Sequence, residues 1–304
     1  MKISTAKACS VVNPKAANRK WLRRTKLRAY LQKNLPNPVH DDLADKESTI
    51  RKVKAFCADS DLIVAIGGDG TIADVIQGIR ESGREKNVHL GIVPLGSGNA
   101  FRKALKIPKN PKKAIQVLKR GEAREIDLIE VEGKAAGFVS VGATAKVTQV
   151  KVEHNIQGLF GHLLAARIFL KIKMQDHDVE LFEGVDEKGL PFSEKKFRLS
   201  FLDCVVAKTN YFGYSWTIAP FARIDDGYLD ITFFEISFPK YLLLFPLIYF
   251  GIYQRRLRRF KAKRMILRGR DLYVQYNGEV LGKMDKVELK VVPRALSVLA
   301  PEKK

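Results

Sequence analysis

Two glycine-rich turns constrain this chain most. Gly67-Gly68-Asp69-Gly70-Thr71 and Pro94-Leu95-Gly96-Ser97-Gly98-Asn99 stand about 29 residues apart, each between an apolar run and a helical pattern. Leu62 to Ile66 and Val88 to Val93 read as short buried strands, and Ile72, Val75, Ile76 and Ile79 recur at helical spacing after the first turn. Cys9 to Val12, then Asn13-Pro14 and a basic helix from about Arg19 to Lys33, follow the same plan. Strand, turn and helix repeated three times predict a parallel α/β domain. Glycine lets backbone N–H groups and the positive end of a helix approach a phosphate without a Cβ in the way. Turns at the carboxyl ends of neighbouring strands would share one crevice, so the pair predicts phosphate binding. Neither turn is a Walker A loop, and neither fits GxGxxG with an acid about 20 residues on. Asp69 suits a turn former or helix N-cap. In a phosphate crevice a carboxylate also suits Mg²⁺, held directly or through water.

From about Glu125 the texture changes. Ile126 to Val131, Ala136 to Val141, Val179 to Phe182, Phe197 to Val206, Ser215 to Ile218 and Leu229 to Phe234 read as strands, interrupted by a helix around Leu159 to Met174. Lys286 to Val292 and Ala295 to Leu299 read as a closing pair of strands. The expected organisation is an α/β domain over residues 1–124, to which 292–304 return, and a mainly antiparallel β domain over 125–291.

The chain has 54 Lys and Arg against 33 Asp and Glu. Half of those bases lie in three stretches without a single acid: ten in residues 1–40, eight in 102–120 and nine in 254–270. Basicity this concentrated predicts an anionic partner. RNP-like motifs, zinc-finger spacing and aromatic interleaving are absent from these stretches, so a nucleic acid is not expected. Cys9, Cys57 and Cys204 form neither a disulfide framework nor a zinc site, which suits a reducing cytosol. The first residues hold no apolar run of signal-peptide type. Tyr241 to Tyr253, about 13 residues, falls short of the roughly 20 of a spanning helix. It reads either as a core helix or, with the bases from Arg255 on, as a peripheral contact with an anionic membrane surface.

Two further motifs join the glycine turns: Ala219-Pro220-Phe221-Ala222-Arg223-Ile224-Asp225-Asp226-Gly227-Tyr228-Leu229-Asp230 and Asn277-Gly278-Glu279. In this order and spacing, the four resemble the diacylglycerol kinase catalytic-domain family, which includes bacterial lipid kinases and sphingosine and ceramide kinases. The resemblance spans nearly the whole chain. GGDGT alone is shared with NAD kinases. The resemblance implies a nucleotide-binding α/β domain of NAD kinase-like type and a β-sandwich domain, with ATP in the cleft between them. The γ-phosphate would go to a lipid hydroxyl, of diacylglycerol or sphingoid type, at the surface of a membrane to which a cytoplasmic protein binds peripherally. ATP binding would map to Asn13, to Gly67, Gly68, Asp69, Gly70, Thr71, Ile72 and Ala73, and to Gly96, Ser97 and Asn99. Glu279 would be the general base, with Asp69 a second catalytic residue. A structural Mg²⁺ would sit on the Asp226 side chain and the carbonyls of Arg223 and Tyr228. From composition alone, Asn277-Gly278 is a hairpin turn and Asp225-Asp226-Gly227 a plain turn, although an aspartate followed by carbonyls can also cage a hard cation.

Several positions depart from the family pattern. Ala16-Ala17 replace a hydroxyl and glycine pair, Ala73 replaces an asparagine, and His40 stands where a threonine is expected. Ala100 replaces an aspartate of the diacylglycerol kinase type, and Asn277 replaces the aspartate of the DGE motif. These changes leave open a catalytically impaired lipid-binding protein, and GGDGT leaves open an NAD kinase.

Overall fold

A computed structural model of the protein describes residues 7–14, 25–35, 39–40, 45–96, 98–154, 174–213 and 216–302. The chain forms two compact units, Met1–Asp127 with Arg294–Lys304, and Leu128–Pro293. Together they make a mixed α/β protein whose second unit is rich in strand.

The first unit contains β1 (Ala8–Val12), α1 (Thr25–Asn34), β2 (Val39–His40), α2 (Lys46–Phe56), β3 (Leu62–Gly67), α3 (Asp69–Glu81), β4 (His89–Pro94), α4 (Ala100–Ala104) and α5 (Pro111–Arg120). Strands β2, β1, β3 and β4 pair in parallel in that order. Every residue of β3 is buried, as a parallel strand covered on both faces requires. Ile72, Val75, Ile76 and Ile79 turn one buried face of α3 inward. Gly78 lies where α3 meets α2, since a Cβ there would come within 2.7 Å of the Val53 side chain.

The chain enters the second unit along β5 (Glu122–Val131), followed by β6 (Lys134–Ala136), β7 (Phe138–Gly142) and α6 (Ala143–Glu153). Then come β8 (Gln175–Val185), β9 (Pro191–Phe201), β10 (Asp203–Ala207), β11 (Leu229–Phe234), α7 (Phe238–Tyr249), β12 (Arg258–Tyr276) and β13 (Glu279–Ala300). Pairing here is antiparallel: β11 with β10, β10 with β7, β7 with β12 and β12 with β13, while the β8–β9 hairpin joins β12 through β8. Val139, Val141, Leu181, Val206, Phe233, Met265 and Val274 are among the side chains of one buried core.

Four strand assignments from sequence change. Ala136 to Val141 is broken at Gly137, and Phe197 to Val206 is broken at Leu202 into β9 and β10. Of Ser215 to Ile218, the described residues Trp216 to Ile218 form no strand, and Trp216 makes an isolated bridge to Phe212. The expected closing pair is one strand, β13, which runs from Glu279 to Ala300 through Pro293 and through Arg294, whose φ of 48° is left-handed. Its end, Ser297 and Val298, pairs in parallel with β4 in the first unit. The helix expected around Leu159 to Met174 falls almost wholly outside the described residues, as do residues 19–24 of the first basic helix. Helix α6 went unread in the sequence.

Asp203 opens β10 fully buried, accepting hydrogen bonds from the Thr144 N–H at 3.3 Å and from the Thr144 hydroxyl. Burial pushes its carboxyl up to about 8, outweighing the hydrogen bonds that pull it down. The folded protein therefore keeps a proton that the unfolded chain loses near pH 4. This contribution is complete below pH 4 and disappears as pH rises through 8. Denaturant unfolding between pH 5 and 8 is expected to show wild type losing up to about 1.4 kcal/mol per pH unit relative to Asp203→Asn. Parallel profiles would contradict a protonated Asp203.

Candidate active site

In the first unit, β3 ends at Gly67 and α3 begins at Asp69, with Gly68 as an N-cap that makes no side-chain capping bond. The first main-chain bond of the helix runs from Ile72 N–H to Gly68 O at 3.1 Å, so the preceding N–H groups of the turn have no acceptor within the helix. The second turn lies directly against the first. Leu95 N–H donates to Gly67 O at 2.8 Å, and a Cβ on Gly96 would stand 2.5 Å from the Gly68 Cα.

Asp69 fastens the two turns together. One carboxylate oxygen accepts from Asn99 N–H at 2.7 Å and the other from Ala100 N–H at 2.6 Å. The turn-and-cap role foreseen for Asp69 is thus carried out on the other helix, α4. Asn99 caps α4 in a left-handed conformation, φ 56°, and its amide donates to Gly96 O at 2.7 Å. Burial raises the Asp69 carboxyl, while the two backbone bonds, Lys103 and Arg102 oppose the rise.

The expected nucleotide residues divide on this geometry. Gly67, Gly68, Asp69, Gly70, Thr71, Gly96 and Asn99 come together at the paired turns. The Ile72 side chain is fully buried and its N–H is held within α3, and Ala73 is buried on the same helix. Asn13 directly follows β1, and His40 stacks on Phe56 with ring centroids 4.0 Å apart. Ser97, Ala16 and Ala17 lie outside the described residues.

The packing explains three of the four glycines expected to meet the nucleotide, Gly67, Gly68 and Gly96. A Cβ on Gly67 would strike Thr71 at 2.5 Å, and Gly68 and Gly96 meet backbone to backbone. Gly70 differs: nothing lies within 4 Å of a Cβ placed there. A glycine that neither packing nor φ requires, in a helix first turn, leaves room for something outside the protein.

In the second unit, Asn277 (φ 48°) and Gly278 (φ 91°) form the tight turn between β12 and β13. Glu279 begins β13, and its Oε2 accepts from the Tyr276 hydroxyl at 2.8 Å. Asn277 does more than turn the chain. Its Oδ1 accepts from Gly137 N–H at 3.0 Å, its Nδ2 donates to Ala135 O at 3.2 Å, and its own N–H donates to Phe138 O at 2.9 Å. An aspartate could not donate to Ala135, so the amide at this position has a structural reason of its own.

The loop Ala219–Asp230 carries the three expected metal ligands. Asp226 and the Tyr228 carbonyl do converge, and they meet on the ammonium of Lys208, at 2.7 and 2.5 Å. Lys261 reaches the other Asp226 oxygen at 2.5 Å and Asp230 at 3.4 Å, and Arg223 N–H donates to Asp230 at 3.0 Å. Burial raises the Asp226 carboxyl, but Lys208 and Lys261 outweigh it and the net direction is down. Asp230, where burial dominates, is pushed up to about 6. Sequence reasoning missed Lys208. Its signal was a lysine directly after the apolar run Cys204 to Ala207, a place where lysine is rarely buried without a partner.

The basic stretch 254–270 also looks different in place. Arg258, Lys263, Arg264 and Arg268 pair with Glu235, Glu183, Glu288 and Glu180 on or beside neighbouring strands, and the Arg259 guanidinium lies 3.9 Å over the Phe221 ring. Helix α7 divides its apolar side chains: Phe238 and Ile248 are buried, while Leu243 and, around the helix end, Leu247, Phe250 and Ile252 are exposed. Among the described residues no helix is long and apolar enough to cross a membrane.

Residues 7–131 match the diacylglycerol kinase catalytic domain, and residues 137–300 match the YegS C-terminal NAD kinase beta sandwich-like domain. The chain belongs to the family that joins a diacylglycerol kinase catalytic domain to a YegS C-terminal NAD kinase beta sandwich-like domain. Proteins named diacylglycerol kinase in Staphylococcus carnosus and Staphylococcus aureus strain JH9 are 26% and 28% identical to it, over 61% and 63% of this chain. The matches cover 58% of the length of each of these relatives. A solved structure of a diacylglycerol kinase from Bacillus anthracis strain Sterne shares the fold, with a TM-score of 0.70 and 18% identity over 97% of this chain and 98% of that one.

Thermal unfolding separates the two kinds of glycine. Gly96→Ala is expected to destabilise by about 1–3 kcal/mol through overpacking against Gly68. Gly70→Ala is expected to hold or raise stability, alanine being favoured in helices by about 1 kcal/mol. A large loss in Gly70→Ala would show that the fold itself needs this glycine.

Proposed function

We propose that the protein is an ATP-dependent lipid kinase that moves the γ-phosphate to a lipid hydroxyl of diacylglycerol or sphingoid type. The observation that carries this reading is the Asp69 carboxylate, which binds Asn99 and Ala100 N–H and so joins two glycine turns into one backbone surface suited to phosphates. The parallel α/β portion, residues 1–124 with 292–304, takes the nucleotide, and residues 125–291 take the lipid. N–H groups at Gly68, Gly70 and Thr71, together with the first-turn dipole of α3, face the triphosphate, and Gly70 gives it room.

Glu279 is the base. The Tyr276 hydroxyl orients its carboxylate, which takes the proton of the lipid hydroxyl. The oxygen's electron pair attacks the γ-phosphorus, the bond to the β–γ bridging oxygen breaks, and ADP leaves with those electrons. Mg²⁺ neutralises the developing charge when bound. Both Asp69 oxygens already accept N–H donors, and the described residues hold no group of three metal-ligating side chains. Phosphate oxygens would therefore supply most of the ligands of such an ion, with Asp69 holding the turns in place. Work at a membrane surface is supported by the exposed apolar side chains Leu243, Leu247, Phe250 and Ile252.

Transfer of radiolabelled phosphate from ATP to diacylglycerol, sphingoid base, ceramide and polyprenol tests the activity. Wild type is expected to label at least one lipid, and Glu279→Gln to lose about 10²–10⁴-fold in kcat. Gly70→Ala is expected to raise KM for ATP. Binding without transfer to any lipid would favour the impaired lipid-binding protein, and transfer to NAD alone an NAD kinase. Cosedimentation with anionic vesicles tests the surface. Leu243→Ser with Phe250→Ser is expected to weaken binding about a hundredfold at high salt, taking ~1.5 kcal/mol for each apolar side chain withdrawn from water. Binding that salt abolishes entirely would leave only charge.

A further inference from the structure

The family resemblance implies a divalent ion on Asp226 and the neighbouring carbonyls, but here the chain supplies its own cation. We propose that the Lys208 ammonium is the resident cation of the Ala219–Asp230 loop and that this site takes no divalent metal. The proposal does not rest on the kinase reading.

Lys208 follows β10 directly, and its side chain is completely buried. Lysine at such depth needs an anionic partner and acceptors for its N–H groups. It has Asp226 Oδ1 at 2.7 Å and Tyr228 O at 2.5 Å, two of the three groups expected to hold Mg²⁺. A magnesium ion binds oxygen at about 2.1 Å and demands near-octahedral geometry, so it cannot share these two atoms with a nitrogen already bound to both. Charge argues the same way. Lys208 and Lys261 face Asp226 and Asp230, and a divalent ion would add two positive charges to a balanced set.

The same segment secures the rest of the loop. Two residues after Lys208, the Asn210 amide nitrogen donates to the carbonyls of Ala222, Pro220 and Ala219 at 2.9, 3.1 and 3.4 Å. An ion would gather carboxylate and carbonyl oxygens around one centre. Here an ammonium and an amide, two residues apart on one strand end, gather them instead.

Thermal unfolding of the full chain without nucleotide, in Mg²⁺ and in chelator, tests the proposal. Wild type is expected to melt at the same temperature in both, and Lys208→Met, which keeps the length and removes the charge, to melt roughly 10 °C lower in both. A wild-type melting temperature several degrees higher in Mg²⁺ than in chelator would overturn it. So would a Lys208→Met chain as stable as wild type. The wild-type comparison stands even where the variant fails to fold.

Discussion

One carboxylate sets the geometry on which the first unit depends. Asp69 sits at the start of α3, where the helix dipole already favours a negative charge, and it reaches across to the N–H groups that open α4. The bond works only because the turns touch. Gly68 and Gly96 meet backbone to backbone, and a methyl group on Gly96 would force them apart. Three requirements therefore act together on a few residues: glycine for closeness, aspartate for the bridge, and a left-handed asparagine to aim the N–H groups. What remains unexplained by packing is Gly70, and on the proposed reading the triphosphate is what it makes room for.

The second unit manages charge by pairing. Its basic stretch is not a free cationic face, because strand β12 sets arginines and lysines opposite glutamates of its neighbours. Exposed pairs of this kind contribute little each, roughly 0–1 kcal/mol, but they offset four of the nine positive charges that the linear sequence places there. The buried pair is a different case. Lys208 lies out of water beside Asp226, and loss of either partner would leave an uncompensated charge.

Much of this was legible in the sequence wherever the cause is local. The strands Leu62–Gly67 and His89–Pro94 and the buried face of α3 follow from short apolar runs and helical spacing. The hairpin at Asn277-Gly278 follows from its dipeptide. Causes that act across the chain were not legible. The partners of Asp69 lie about 30 residues on, those of Lys208 about 20 residues on, and those of Asn277 some 140 residues back. Period-two placement of bases on β12 looks like bare charge until the facing strands are known. Pro293-Arg294 reads as a turn by composition, yet Arg294 continues the strand and its N–H donates to Asp127 at 2.9 Å.

The central claim is that the two bridged glycine turns hold ATP. Amide hydrogen exchange of the wild-type chain, read by mass spectrometry with and without ATP and Mg²⁺, measures this without any substitution. Peptides spanning Gly67 to Thr71 and Gly96 to Ala100 are expected to gain protection together when ATP is added, since the first turn presents N–H groups to the triphosphate and the second is tied to it through Asp69. Protection elsewhere with these two segments unchanged, or no protection at saturating ATP, would contradict the account.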